Sequence, residues 1–132
     1  MLIERVWLGW AGASGAMAVT VEAVGRHLLA DDPHRLDLAA TGGRYGLVHS
    51  LGLLALGALS LRWPDGGRGR LWVGLAGWCF AAGLLLFCGS LYVLAAGAPP
   101  GLARLTPVGG TLFILGWVSL FIAALAGRQR SP

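Results

Sequence analysis

Four long apolar runs, separated by short polar or proline-broken connections, leave this chain few folds to choose from. They are Val6–Gly25, Tyr45–Leu61, Leu71–Ala96 and Leu105–Ala126. A helix needs about 20 predominantly apolar residues to cross a bilayer. The second run is shorter, about 25 Å as a helix, and crosses only with help from its flanks or where the bilayer thins. Only 12% of the 132 residues are charged and 56% are hydrophobic, against about 25% charged in a soluble domain. Disorder is excluded, because it requires low hydrophobicity and high net charge. The expectation is a single all-α domain, an integral membrane four-helix bundle running up and down. Gly15, Ala16 and Ala18 mimic a signal-peptide cleavage site, but Glu4 offsets Arg5 and the run is long, so it reads as a retained span.

The connections carry turn chemistry. Residues 62–70, RWPDGGRGR, hold a Pro-Asp-Gly-Gly turn. Pro99 and Pro100 break any helix across 97–104. In the longest connection, Arg26–Arg44, Asp32 is expected to N-cap a short helix with Pro33 at its first position. Gly42 and Gly43 are expected to end that helix, and its mildly apolar face to lie along the membrane surface. Thr106 and Pro107 are expected to open the fourth span in the same way.

All ten basic residues are Arg, and the formal charge is +4. They form no stripe, so nucleic acid is not an expected partner; they read as topology signals instead. Arg5, Arg62, Arg68, Arg70, Arg128 and Arg130 fall on one side of a four-span arrangement, and Arg26, Arg35, Arg44 and Arg104 on the other. The positive-inside rule then predicts cytoplasmic N and C termini. Cys79 and Cys88 lie nine residues apart in one predicted helix and so on opposite faces; they cannot bridge each other there and read as small buried apolar residues.

The polar groups are biased to one end. Glu22, His27, Tyr45, His49, Ser90, Tyr92 and Thr106 all fall on the predicted periplasmic half. Ionisable residues within spans are costly and usually face the bundle interior, so these seven are the candidate ligand-binding residues. The alternatives are a cluster that merely locks helix ends, and for Glu22 a plain i,i+4 ion pair with Arg26. Haem ligation by His27 and His49, or a metal site with Glu22, has no spacing signature; no metal and no cofactor is expected. Gly9/Ala13 and Gly12/Ala16 form small-xxx-small pairs that let helix backbones approach closely, within the bundle or toward a partner.

The runs GASGAMAVTVEAVGRHLL, TGGRYGLVHSLGLLALG, FCGSLYVLA and LTPVGGTLFILGW together resemble the YgdD-like family. This is a family of small four-span bacterial inner-membrane proteins of unknown function, with a eukaryotic mitochondrial transmembrane relative. The resemblance covers residues 9–126 and rests mainly on Tyr45 and His49 with Ser50-Leu51, on Gly89-Ser90-Leu91-Tyr92, and on Thr106 to Gly110. The chain departs from the family pattern at Arg26, where Ala is usual before His27, and at Cys88, where Ser is usual. The resemblance implies fold and inner-membrane location, and no activity.

The expected function is that of a non-enzymatic accessory or assembly subunit of a membrane complex, with the lipid bilayer and a partner membrane subunit or a second copy as its partners. The alternative is a small carrier or ligand-binding membrane protein with a polar pocket on the periplasmic side.

Overall fold

A computed structural model describes residues 2–61 and 67–126. Most of the expected Pro-Asp-Gly-Gly turn, and Arg62, Arg128 and Arg130, lie outside the described residues. Every regular element among those described is helical: α1 (Leu2–Leu28), α2 (Pro33–Ser60), α3 (Arg68–Gly83), a π-helical segment (Leu84–Cys88), α4 (Gly89–Ala95), a 3-10 turn (Pro100–Arg104) and α5 (Leu105–Ala126). α3, the π segment and α4 run on as one rod, so the described residues make four rods. Two of them, Arg68–Ala95 and Pro100–Ala126, are long and apolar enough to cross a membrane, with mean hydropathy 2.0 and 2.1. α1 and α2 are as long, but carry more charged residues.

The surface and the interior differ in the sense a bilayer requires. Leu51, Leu71, Leu85, Ile114 and Phe121 are among many large apolar side chains turned outward, far more than a soluble monomer exposes. Glycine, alanine and serine fill much of the interior. Without a hydrophobic drive between helices in lipid, such small residues let backbones pack closely.

α1 buries Glu4, Trp7, Ala11, Ala18 and Gly25, the spacing of a heptad seam. That seam lies antiparallel on α2. A Cβ added at Gly57 would sit 3.6 Å from the Glu4 carbonyl, one at Gly15 3.7 Å from Ser50, and one at Gly43 3.2 Å from the Glu22 carboxylate. The hydroxyls of Ser14 and Ser50 meet across the seam at 2.7 Å.

The third rod and α5 form the second antiparallel pair, and there glycine faces phenylalanine. Gly116 lies against Phe80, Gly83 against Phe113 and Gly109 against Phe87. At Gly109 the approach is to backbone: an added Cβ would fall onto the Phe87 nitrogen and within 2.8 Å of its Cα. This is where the helix widens into its π turn, a local insertion common at functional sites. α2 and the third rod are the central elements. α1 flanks them on one side and α5 on the other.

Two local expectations are corrected. Gly42 and Gly43 do not end a helix; α2 runs unbroken through both, and both are buried. A Cβ at Gly42 would lie 2.6 Å from the Tyr92 ring, so this pair makes room for neighbours rather than a stop. Thr106 does not cap α5. The 3-10 turn at 100–104 leads straight into the helix, Thr106 lies within it, and its hydroxyl is used across the bundle. The Asp32 cap is as expected: its Oδ1 accepts from the Arg35 backbone N–H at 3.1 Å, with Pro33 opening the helix. The helix also breaks before Pro99 and Pro100, with Gly97 at φ 96°. Cys79 and Cys88 are both free and buried.

Candidate functional site

α2 and α5 lean apart around a cleft of about 480 Å³, floored by Phe87 of the π segment. His49 closes its inner wall and is only 4% exposed. Its ring stacks on Phe113, centroids 3.5 Å apart and 12° from parallel, and meets the edge of Phe80 at 5.3 Å. Both ring nitrogens are engaged. The Trp117 indole N–H donates to Nε2 at 3.2 Å, and Nδ1 lies 2.8 Å from the Tyr45 carbonyl. An indole only donates, so Nε2 is the acceptor and Nδ1 carries the proton to Tyr45. The imidazole is a fully bonded strut between α2 and α5, and neither nitrogen is left for a metal, haem iron or ligand. The Tyr45 ring, half exposed, lies over Phe87 at 4.9 Å at the cleft mouth.

The other expected site residues do not converge on this cleft. Ser90 donates to the Phe87 carbonyl at 2.9 Å, and its oxygen lies 2.7 Å from that of Thr106, which therefore donates to it. This pair ties α4 to α5 beside the π turn. Tyr92 reaches the opposite way and donates to the Gly42 carbonyl at 3.0 Å. A Cβ at Gly46 would meet the same hydroxyl at 2.7 Å, so Gly42 and Gly46 together cradle the tyrosine. Glu22 pairs with Arg26 at 2.9 Å, the simple i,i+4 arrangement weighed from the sequence. His27 is exposed and stands apart from both groups. The seven residues share one end of the bundle, but as three separate ties between helices, an ion pair and the exposed His27.

The packing residues expected on α1 lie outside the bundle. Gly9, Gly12, Ala13 and Ala16 are all exposed, and a Cβ at Gly9 or Gly12 would meet nothing within 4 Å. α1 docks on α2 through the opposite seam.

Several contributors were missed. Trp117 sits mid-span rather than at the interface where tryptophans gather, and its N–H needs a partner; that position was the available signal. Arg35 donates to the Ala95 carbonyl at 2.6 Å, placing a cation on the open carbonyl end of α4, where the helix dipole favours one. At the other end of the bundle, Arg70 lies 3.5 Å from the buried Glu4 carboxylate. No sequence spacing links either pair.

Rods that are apolar outside, lined by small residues inside and tied at one end by buried hydrogen bonds define a multi-pass helical membrane protein. The chain belongs to the DUF423 family of proteins of unknown function, whose profile matches residues 21–110. The UPF0382 inner membrane protein YgdD of Escherichia coli strain K12 is 32% identical over 131 residues, 98% of this chain and 96% of its own. The UPF0382 membrane protein YwdK of Bacillus subtilis is 33% identical over 92% of this chain and 97% of its own. A Staphylococcus aureus relative, the UPF0382 membrane protein SAB0533, is 39% identical over 85% and 89%. No solved structure matches. The matched region contains all seven expected site residues and ends short of Trp117.

Proposed function

We propose that this protein is a non-enzymatic accessory or assembly subunit of a complex in the bacterial inner membrane, and that it engages a partner membrane helix along the outer face of α1. One observation carries the reading: Gly9, Gly12, Ala13 and Ala16 are all exposed, and a side chain at Gly9 or Gly12 would meet open space, on a helix whose other face already packs the bundle. Small-xxx-small faces are those on which membrane helices approach most closely. The connections between the helices are short, so little but the bundle surface is available for recognition. We place both termini in the cytoplasm because the arginine count favours it.

The carrier reading has less support, because apart from the exposed His27 the polar side chains that would bind cargo are already bonded within the protein. Native mass spectrometry of the protein extracted in mild detergent tests the proposal. The expected result is an assembly heavier than one chain that dissociates on Gly12→Leu or Ala16→Leu, while the variant's own melting temperature holds. A wild-type protein that is monomeric throughout would overturn it. A thiol introduced by Ala98→Cys and labelled from the periplasm by an impermeant maleimide checks the orientation.

A further inference from the structure

The α2/α5 cleft joins two features that its role as a helix interface does not require. Its walls are apolar and largely aromatic, and Val48, Ile114 and Trp117 face outward along it with about half or more of their surface exposed, Trp117 the least at 47%. At its mouth stands Arg44, whose one hydrogen bond among the described residues is a long 3.4 Å contact to the Thr41 hydroxyl. None of the described carboxylates lies within ion-pair distance of it. Arg44 lies well inside α2 but lines the cleft with Gly110, close to the start of α5, where a long basic side chain can keep its apolar stem in the hydrocarbon and reach its head toward the interface.

A cation with no acid beside it, above an apolar slot open to the bilayer, has the charge and shape to receive one molecule that is anionic at its head and alkyl in its tail. We propose that the cleft is a binding site for an anionic phospholipid, its phosphate on the Arg44 guanidinium and one acyl chain lying between α2 and α5 against Phe113 and Trp117. A guanidinium matches phosphate geometry through paired N–H donors. The chain would fill the space that the His49–Trp117 strut spans without closing. This site shares no residue with the α1 face, so neither reading depends on the other.

A second crevice, between α1 and the third rod, provides an internal comparison. It is of similar size, about 510 Å³, and is lined by Ala13, Met17, Leu84, Cys88 and Tyr92 with no charged side chain. Any lipid held there is selected without regard to headgroup charge.

The test is native mass spectrometry of the whole protein in detergent, titrated with phosphatidylglycerol or phosphatidylethanolamine of identical acyl chains. Phosphatidylglycerol is expected to be retained about fivefold more strongly, the factor one arginine supplies at an anionic surface. Arg44→Gln should bring the ratio close to one, and Arg44→Lys should keep most of it. Val48→Trp, which fills the slot and leaves the charge, should lower retention of phosphatidylglycerol itself. Equal retention of the two lipids by wild type would overturn the proposal, as would a preference unchanged by Arg44→Gln. Glycerol phosphate, which has no acyl chain, competing as well as the lipid would reassign the site to free phosphate and overturn it too.

Discussion

The indole N–H of Trp117 donates to Nε2 of His49, 3.2 Å away and 68 residues distant in sequence. This bond decides what the histidine is. With Nε2 accepting, the ring proton is on Nδ1, directed at the Tyr45 carbonyl one helical turn back. In 15N spectra of histidine-labelled protein, His49 should show the Nδ1–H tautomer. Trp117→Phe should disturb that signal and leave those of His27 and His34 in place. His49→Ala removes both bonds and the ring stacked on Phe113, and should destabilise the bundle by about 3 kcal/mol in micelle unfolding. Wild-type stability in that variant would show that the strut holds nothing.

Glycine tolerance should divide by position. At Gly109 a methyl group would strike the Phe87 backbone, which has no rotamer to yield. Gly109→Ala should therefore cost at least about 2 kcal/mol. Gly12→Ala has open space and should match or slightly exceed wild-type stability, since alanine is the better helix former by about 1 kcal/mol. Thermal melts of the two variants side by side make the comparison.

The Ser90–Thr106 pair is open to a double-mutant cycle. Ser90→Ala and Thr106→Val should each lower stability by about 1 kcal/mol. The double variant should lose less than the sum, because each single change leaves the other hydroxyl short of a partner. Strict additivity would mean that the 2.7 Å contact does not couple α4 to α5.

Arg35 predicts a local effect. Arg35→Met keeps the apolar stem and removes the donor to the Ala95 carbonyl. The expected cost is about 1.5 kcal/mol, the scale of a charge-assisted bond. It should appear first as faster amide exchange at Ala96 and Gly97, before any loss of the bundle as a whole. Protection unchanged at those amides would show that the end of α4 holds without the arginine.

Features governed by short-range chemistry were legible from the residues alone. The Asp32–Pro33 helix start follows from a side-chain acceptor beside a residue with no N–H to satisfy. The break near Pro99 and Pro100 follows from ring sterics. The helical, membrane-embedded character follows from the length and apolarity of the runs, because in lipid the backbone must bond within its own segment. The YgdD-like resemblance came from motifs of the same local kind. Tertiary structure decided everything that depends on what stands opposite a residue. Gly42-Gly43 reads locally as a helix stop, yet lies in mid-helix because Tyr92 and Glu22 occupy the space where side chains would go. The small-residue pairs of α1 look like packing positions, yet face outward, because the heptad seam from Glu4 to Gly25 carries the helix onto α2. Seven polar residues at one end suggested one pocket. The partners found, Trp117, the Gly42 carbonyl, Arg26 and one another, separate all but the exposed His27 into independent ties, since each buried polar group must find its own bond and the nearest one is set by how the helices pack.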